Sequence, residues 1–210
     1  ILLKKGKEAG FIDEYSQQNG ENLSFKDNSY DYVLCKEAYH HFPRPSIALY
    51  EMLRVCKIAV LLIEPNDSTI ESKPLAFIVP LVKKILGQNA NLDRHEFEEV
   101  GNYCYRISKR EVEKFQLGMH RRYVAFKGIN DYYQNGVEFI KLDSKKISDI
   151  KVIYKSKFFI FVRNFLSKFG LVSDQLLASI LFKEKISEEI IKVLKSCGWE
   201  IKVLPKNPYI

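Results

Sequence analysis

The run from Tyr30 to Pro65 constrains this 210-residue chain more than any other. Tyr30 to Cys35 reads as a strand, set off by the turn formers Lys26-Asp27-Asn28-Ser29. Lys36 to Arg44 reads as a loop or irregular helix closed by Pro43 and Pro45. Pro45 suits the first turn of a helix, and Leu49, Met52, Leu53 and Cys56 then recur at helical spacing, giving one apolar face. The unbroken apolar run Ile58-Ala59-Val60-Leu61-Leu62-Ile63, stopped by Glu64-Pro65, reads as a strand buried on both faces. Strand, helix, strand in that order is a βαβ unit, which demands a parallel pairing with the helix packed outside the sheet.

The flanking chain is less uniform. Residues 2–9 read as a short helix ending near Gly10, and 11–25 as mixed, with a possible strand before Asn19-Gly20. Beyond Pro65, an apolar helix flanked or interrupted by Pro74 and Pro80 runs to Gly87, and 88–107 reads as loop. Ser108-Lys109-Arg110-Glu111 is a capping box, opening a helix with Val112, Phe115 and Met119 on one face. Tyr123 to Lys127 reads as a strand. Asp143 or Ser144 is placed to cap a long helix with Ile147, Ile150, Tyr154, Phe158, Phe161 and Phe165 on its apolar side, ended by Gly170. A second helix is expected to follow, to about Phe182. Ser187 then caps a helix with Glu188 and Glu189 in its first turn, where carboxylates suit the dipole. Trp199, Ile201 and Val203 alternate with Glu200 and Lys202 in a half-buried strand. The expected division is a core part at 1–65, a mainly helical cap or insertion at 66–185, and a closing helix and strand at 186–210. Either 108–127 or 199–204 could complete the sheet; the favoured arrangement uses both, with a helical insertion between them.

The net charge of +7 permits an anionic partner, but Lys and Asp/Glu are interleaved and the basic runs, such as Arg121-Arg122 and Lys145-Lys146, are short. With no basic stripe and no stacking platform, the pattern argues against nucleic acid. Cys35, Cys56, Cys104 and Cys197 show no CxxC spacing, so no zinc or thioredoxin-like site is expected, and free thiols in apolar contexts suit a reducing cytoplasm. The residues from Ile1 to Lys5 lack a signal peptide's apolar region, and the apolar run at 158–162 is interrupted by Arg163 long before it could span a bilayer.

A family pattern lies in the same block. The segment from Gly20 to Val33, with Leu23-Ser24-Phe25-Lys26-Asp27-Asn28-Ser29-Tyr30-Asp31 at its centre, resembles a segment of class I S-adenosylmethionine-dependent methyltransferases. It is followed in order by His40-His41-Phe42, by Glu51-Met52-Leu53-Arg54-Val55 and by the strand ending in Glu64-Pro65, as in that family. Residues 187–205 are similar to its closing helix, glycine turn and strand. The resemblance implies a doubly wound, mostly parallel Rossmann-like sheet with an antiparallel last strand and a helical cap insertion. The cofactor would be S-adenosylmethionine, lying across the carboxyl ends of the strands. Two features of the family fall outside this sequence, the glycine-rich loop after the first strand and the acidic residue of the second. The expectation is therefore that the first strands precede Ile1 and that this stretch alone binds the cofactor poorly and is inactive.

By the same resemblance, Asn19 (where the family commonly has Asp) and Gly20 would meet the adenine edge, by side chain and backbone. Cys35 and Lys36 would meet the methionine part of the cofactor through their backbone. His40 and His41 are the candidate general bases, because imidazole titrates near neutrality; a packing role is the alternative. Asp31, at the other end of its strand, is expected to be a structural hydrogen-bond partner. Methyl transfer from a sulfonium needs no metal. The expected acceptor is a small molecule or a glycan. Tyr103, Tyr105, Tyr132, Tyr133, Phe158, Phe159 and Phe161 could line its pocket, form the cap's own core, or, around 157–169, touch a membrane or lipid-linked substrate. A non-catalytic binding or scaffold module of the same fold is the other class of reading.

Overall fold

The computed structural model describes residues 2–67, 97, 101, 103–134 and 136–209. The helix expected to end at Gly87, and most of the loop expected at 88–107, lie outside these.

In chain order the elements are α1 (Leu2–Glu8), β1 (Tyr30–Lys36), a 3-10 turn (Tyr39–His41), α2 (Pro45–Val55), β2 (Cys56–Pro65), α3 (Lys109–Gly118), β3 (Tyr123–Ile129), a second 3-10 turn (Val137–Phe139), α4 (Ile147–Lys168), β4 (Leu176–Phe182), α5 (Glu188–Ser196) and β5 (Glu200–Val203). The strands form one sheet in the order β1-β2-β4-β3-β5. The βαβ unit is present: β1 and β2 pair in parallel, with Cys35 opposite Leu62, and α2 packs against both. Parallel pairing is confined to that pair, while β2–β4, β4–β3 and β3–β5 are antiparallel.

Alternation along the strands divides the core in two. On one face Val60, Leu62, Val124, Phe126, Leu177 and Leu181 pack with Ala48, Leu49, Met52 and Leu53 of α2 and Val112 of α3. On the other Ala59, Ala125 and Phe182 pack with Ile191 and Leu194 of α5 and with Trp199. Helices therefore cover both faces of a mixed α/β sheet. Coverage is uneven, because Tyr32, Leu34 and Ile58 stay exposed, so the first part of β2 is not buried on both sides.

Several local expectations need correction. Leu176–Phe182 is a strand, not a helix; Leu-Leu-Ala-Ser-Ile-Leu-Phe is short and almost wholly apolar, and such a run has no period that separates strand from helix. It takes the place between β2 and β3, so two strands of the sheet come from the 66–185 stretch read as mainly helical. Among the described residues no strand precedes Asn19; the chain there makes a turn bridged between Asn19 and Asn22. Ser144 lies just before α4 instead of capping it. Lys146 holds the cap position, and the Ser144 hydroxyl accepts from its N–H at 3.3 Å. The capping box at α3 is as expected: the Ser108 hydroxyl accepts from the Glu111 N–H, and the Glu111 carboxylate accepts from the Ser108 N–H at 2.8 Å. Ser187 likewise caps α5, accepting from the Ile190 N–H at 3.3 Å.

Candidate active site

The site grows from the carboxyl ends of β1 and β2. Glu37, directly after β1, has φ +47°, in the left-handed region that a non-glycine residue adopts at a cost. That turn brings two successive backbone N–H groups, of Ala38 and Tyr39, onto one oxygen of Glu64, each at 3.0 Å. The arrangement is a backbone nest of the kind that holds anions. The Cys35 thiol donates to the same oxygen at 3.5 Å. Glu64 is wholly buried, and such a carboxylate is tolerated because its lone pairs are filled. Its other oxygen lies 2.7 Å from Nδ1 of His40, which is itself largely buried.

As a carboxylate Glu64 can only accept, so the bond to His40 places the proton on Nδ1 and leaves Nε2 as the basic nitrogen. The His41 ring lies against that of His40, with centroids 4.0 Å apart. Burial, and then the negative charge of Glu64, push the Cys35 thiol up to about 12, so it is no thiolate nucleophile at neutral pH. Burial, and then the charge of Glu111, push the Tyr39 phenol up to about 12 as well. The Lys36 ammonium is exposed and bonds the Glu37 carboxylate at 2.6 Å, which raises its pKa.

Asn19 and Gly20 reach the same neighbourhood through Phe42. A Cβ built on Gly20 would lie 2.6 Å from the Phe42 ring, so only glycine lets the turn sit on that aromatic face. Asn19 is exposed, and its side-chain oxygen accepts from the Glu21 N–H at 3.0 Å in an Asx turn. Glu21 in turn binds Arg44 through both side chain and backbone, at 2.6 and 2.7 Å. The 19–22 turn is thereby fastened to the segment that carries both histidines.

Glu51 and Arg54 perform a different task. The Arg54 guanidinium grips the Glu51 carboxylate with two bonds at 2.8 and 2.7 Å. It also donates to the carbonyls of Leu23 and Phe25 and to Asp27. Glu51 closes the loop by accepting from the Leu23 N–H at 2.9 Å. The motif pair is a clamp on the 23–27 loop. Asp31 makes a surface ion pair with Lys57 at 3.0 Å.

Sequence reasoning misses Glu64 as a site residue. Its signal is a lone carboxylate ending an otherwise apolar, core-facing run, which requires a partner. Asn66, just beyond β2, is missed too. It is buried, its side-chain nitrogen donates to the Asp174 carbonyl at 3.1 Å, and its side-chain oxygen has no partner among the described residues. A cleft of about 370 Å³ opens beside the 39–45 turn, lined by Tyr39, Arg44, Ser46, Tyr105, Arg106 and Glu111 among others. A larger one, about 570 Å³, lies at the opposite end of the sheet around Arg121, Arg122 and Lys206, and neither cleft is lined by Asn19, Gly20, Cys35, Lys36, His40 or His41.

In open α/β sheets ligands commonly bind in the crevice at the carboxyl ends of the parallel strands, and the polar constellation of this chain lies at that end. Residues 2–63 match the family described as methyltransferase domain. That stretch, which holds β1, both histidines and β2 as far as Ile63, is similar to a methyltransferase domain. No curated protein matches the chain. Among solved structures, it is similar to a chain of the complex between the Haloferax volcanii Trm112 methyltransferase activator and a methyltransferase, at 13% identity and TM-score 0.45, covering 86% of this chain and 67% of that one. It is also similar to the YcgJ protein of Bacillus subtilis, at 21% identity and TM-score 0.43, covering 88% and 77%. A third likeness is to an S-adenosylmethionine-dependent methyltransferase of Archaeoglobus fulgidus, at 14% identity and TM-score 0.44, covering 87% and 80%. The match to the methyltransferase domain covers residues 2–63, less than a third of the chain.

Proposed function

We propose that this chain serves methyl transfer to a small-molecule or glycan acceptor, with His40 taking the acceptor's proton and Glu64 holding His40 in the competent tautomer. The observation that carries the reading is the 2.7 Å bond between the buried Glu64 carboxylate and His40 Nδ1. S-adenosylmethionine, when bound, supplies an electrophilic methyl group on an already activated sulfonium.

The residues present suit that group in a restricted way. Asn19 and Gly20 form an exposed polar turn at which an adenine edge can pair, although the Asn19 oxygen already serves the turn. Cys35 and Lys36 contribute backbone only, since the Cys35 thiol points to Glu64 and the Lys36 ammonium to Glu37. His41 flanks His40 and helps to fix its ring plane. The chain's own part in the reaction is to position the acceptor, exclude water and accept one proton at His40 Nε2. The 370 Å³ cleft has room for a sugar ring or a compact aromatic. It is bordered by Tyr39, the neighbour of His40, and not by His40 itself, so an acceptor held there would have to extend past Tyr39 to reach the imidazole. Within the 66–185 stretch, α4 serves as part of the acceptor-side cap.

The test uses the natural full-length protein. Isothermal titration with S-adenosylhomocysteine is paired with radiolabelled methyl transfer to a panel of small molecules and glycans. His40→Gln is expected to keep S-adenosylhomocysteine affinity and to cut transfer by about a hundredfold or more, the usual weight of a general base. Wild-type transfer by His40→Gln, or no S-adenosylhomocysteine binding by the wild type, would sink the reading.

A further inference from the structure

α4 carries apolar side chains on both sides: Ile153, Ile160 and Leu166 are half-buried, while a second, aromatic stripe faces outward. A helix packed on a sheet normally turns its apolar stripe inward. None of the 22 residues of α4 is buried. Ile147, Tyr154, Phe158, Phe161 and Phe165 recur at helical spacing along one stripe, and they are 73, 69, 61, 67 and 52% exposed. Phe169 extends the stripe past the helix end, its ring 4.8 Å from that of Phe165.

Polar groups hold the opposite side to the body of the protein. Arg163 donates to the Asn130 side-chain oxygen at 3.1 Å, and Asn130 donates to Asn164 at 3.0 Å and to Asp174 at 2.7 Å. Ser167 donates to Asp174 at 2.6 Å. Asp174 lies so closely over Gly128 of β3 that any Cβ there would collide with its carboxylate. The aromatic stripe thus faces away from a firm polar seam, and among the described residues no element packs over it.

Charge identifies what covers it. Residues 145–169 hold seven Lys or Arg against one Asp, a net +6, when the whole chain carries +7. Lys151, Lys155, Lys157 and Lys168 are exposed and lie on both flanks of the stripe. An aromatic stripe between rows of lysines, on a helix with little charge of the other sign, is the pattern of a helix lying in a bilayer interface: rings enter the acyl boundary and ammonium groups meet lipid phosphates. No helix among the described residues is long and apolar enough to cross a membrane, which agrees with a helix lying flat.

We propose that α4 docks this protein on an anionic lipid surface, with Tyr154, Phe158, Phe161 and Phe165 inserted and Lys151, Lys155, Lys157 and Lys168 at the headgroups. The seam that anchors α4 is joined to the end of β2, since the Asn66 N–H donates to the Gln175 carbonyl at 2.9 Å. Docking would therefore bring the candidate-site end of the sheet toward the lipid. The inference stands on the outward stripe and its charge, and holds whether or not His40 is a base.

The experiment is co-sedimentation of the full chain with two vesicle preparations, phosphatidylcholine alone and phosphatidylcholine with phosphatidylglycerol. Phe158→Ser/Phe161→Ser and Lys151→Glu/Lys155→Glu serve as variants, with far-UV circular dichroism confirming their helix content. Wild type is expected to pellet with the anionic vesicles and far less with the neutral ones. The paired phenylalanine variant should lose at least about tenfold in partitioning, and the lysine variant should lose its preference for anionic lipid. Wild type left in the supernatant with anionic vesicles would overturn the proposal, as would undiminished pelleting of the phenylalanine variant. A dimer in sedimentation velocity that Phe158→Ser/Phe161→Ser converts to monomer would assign the stripe to a second copy of the chain and would overturn it too.

Discussion

Glu51 and Glu64 stand thirteen positions apart in one motif-bearing block, yet their surroundings differ in kind. Glu51 faces an arginine, and the pair grips a loop through backbone carbonyls and an N–H. Among the described residues Glu64 has no cationic partner of fixed charge; two backbone N–H groups, a thiol and an imidazole donate to it. The first arrangement is saturated and holds a loop in place. The second leaves one participant, His40, with a ring nitrogen that can do further work. One motif-bearing block thus holds a saturated clamp and, beside it, an imidazole whose second ring nitrogen the proposed reaction would use.

The largest effect should come from Glu64→Ala. It strands two backbone donors in the core and is expected to cost about 3 kcal/mol or more in urea unfolding. A change below about 1 kcal/mol would show that the nest is hydrated and that the contrast with Glu51 is false. Gly20→Ala should come next, at about 1–2 kcal/mol, because Phe42 must shift to admit the methyl group. Phe42→Leu on the same background should recover part of that loss. Arg54→Lys should destabilise less than Glu64→Ala and leave the tautomer of His40 unchanged, while amide hydrogen exchange quickens over residues 23–27, since an ammonium cannot reproduce the forked grip.

Acidification should give the smallest effect. The bond from Arg54, and after it the Leu23 N–H, hold the Glu51 carboxyl below its ordinary range. A folded-state pKa that is lowered contributes stability above the unfolded-state pKa and loses it as pH falls through the folded value. Wild type should thus lose more stability than Glu51→Gln on titration from neutral pH down through the carboxylate range. Parallel curves for the two proteins would remove the clamp from the stability account.

Parts of this were legible in the sequence because local physics decides them. The strand, helix and strand of Tyr30 to Pro65 fall where read, since turn formers, a proline at the helix start and an apolar run all agree there, although the first part of β2 is more exposed than a strand buried on both faces would be. The Ser108 capping box and the Ser187 cap are local hydrogen bonds and follow from spacing alone. Leu176–Phe182 defeats such a reading because a short, almost wholly apolar run fits a strand or a helix, and only its pairing between β2 and β3 decides. The apolar residues of α4 were legible, but the direction they face was not, because the polar contacts that turn them outward come from Asn130 and Asp174, which lie outside the helix. His40 could be picked by its chemistry. Its dependence on Glu64 could not, because the contact spans 24 positions and needs the left-handed turn at Glu37.

The most direct test of the account is the tautomer of His40, read from the ring ¹⁵N shifts of the wild type and of Glu64→Gln, with His40→Gln identifying the signals. In Glu64→Gln the Ala38 and Tyr39 N–H groups fix the orientation of the new side-chain amide, because its oxygen must receive them and its NH2 then faces His40. The account predicts a neutral His40 protonated on Nδ1 in the wild type and on Nε2 in Glu64→Gln. The same tautomer in both proteins would contradict it, leaving Glu64 a buried structural carboxylate and His40 without its positioning partner.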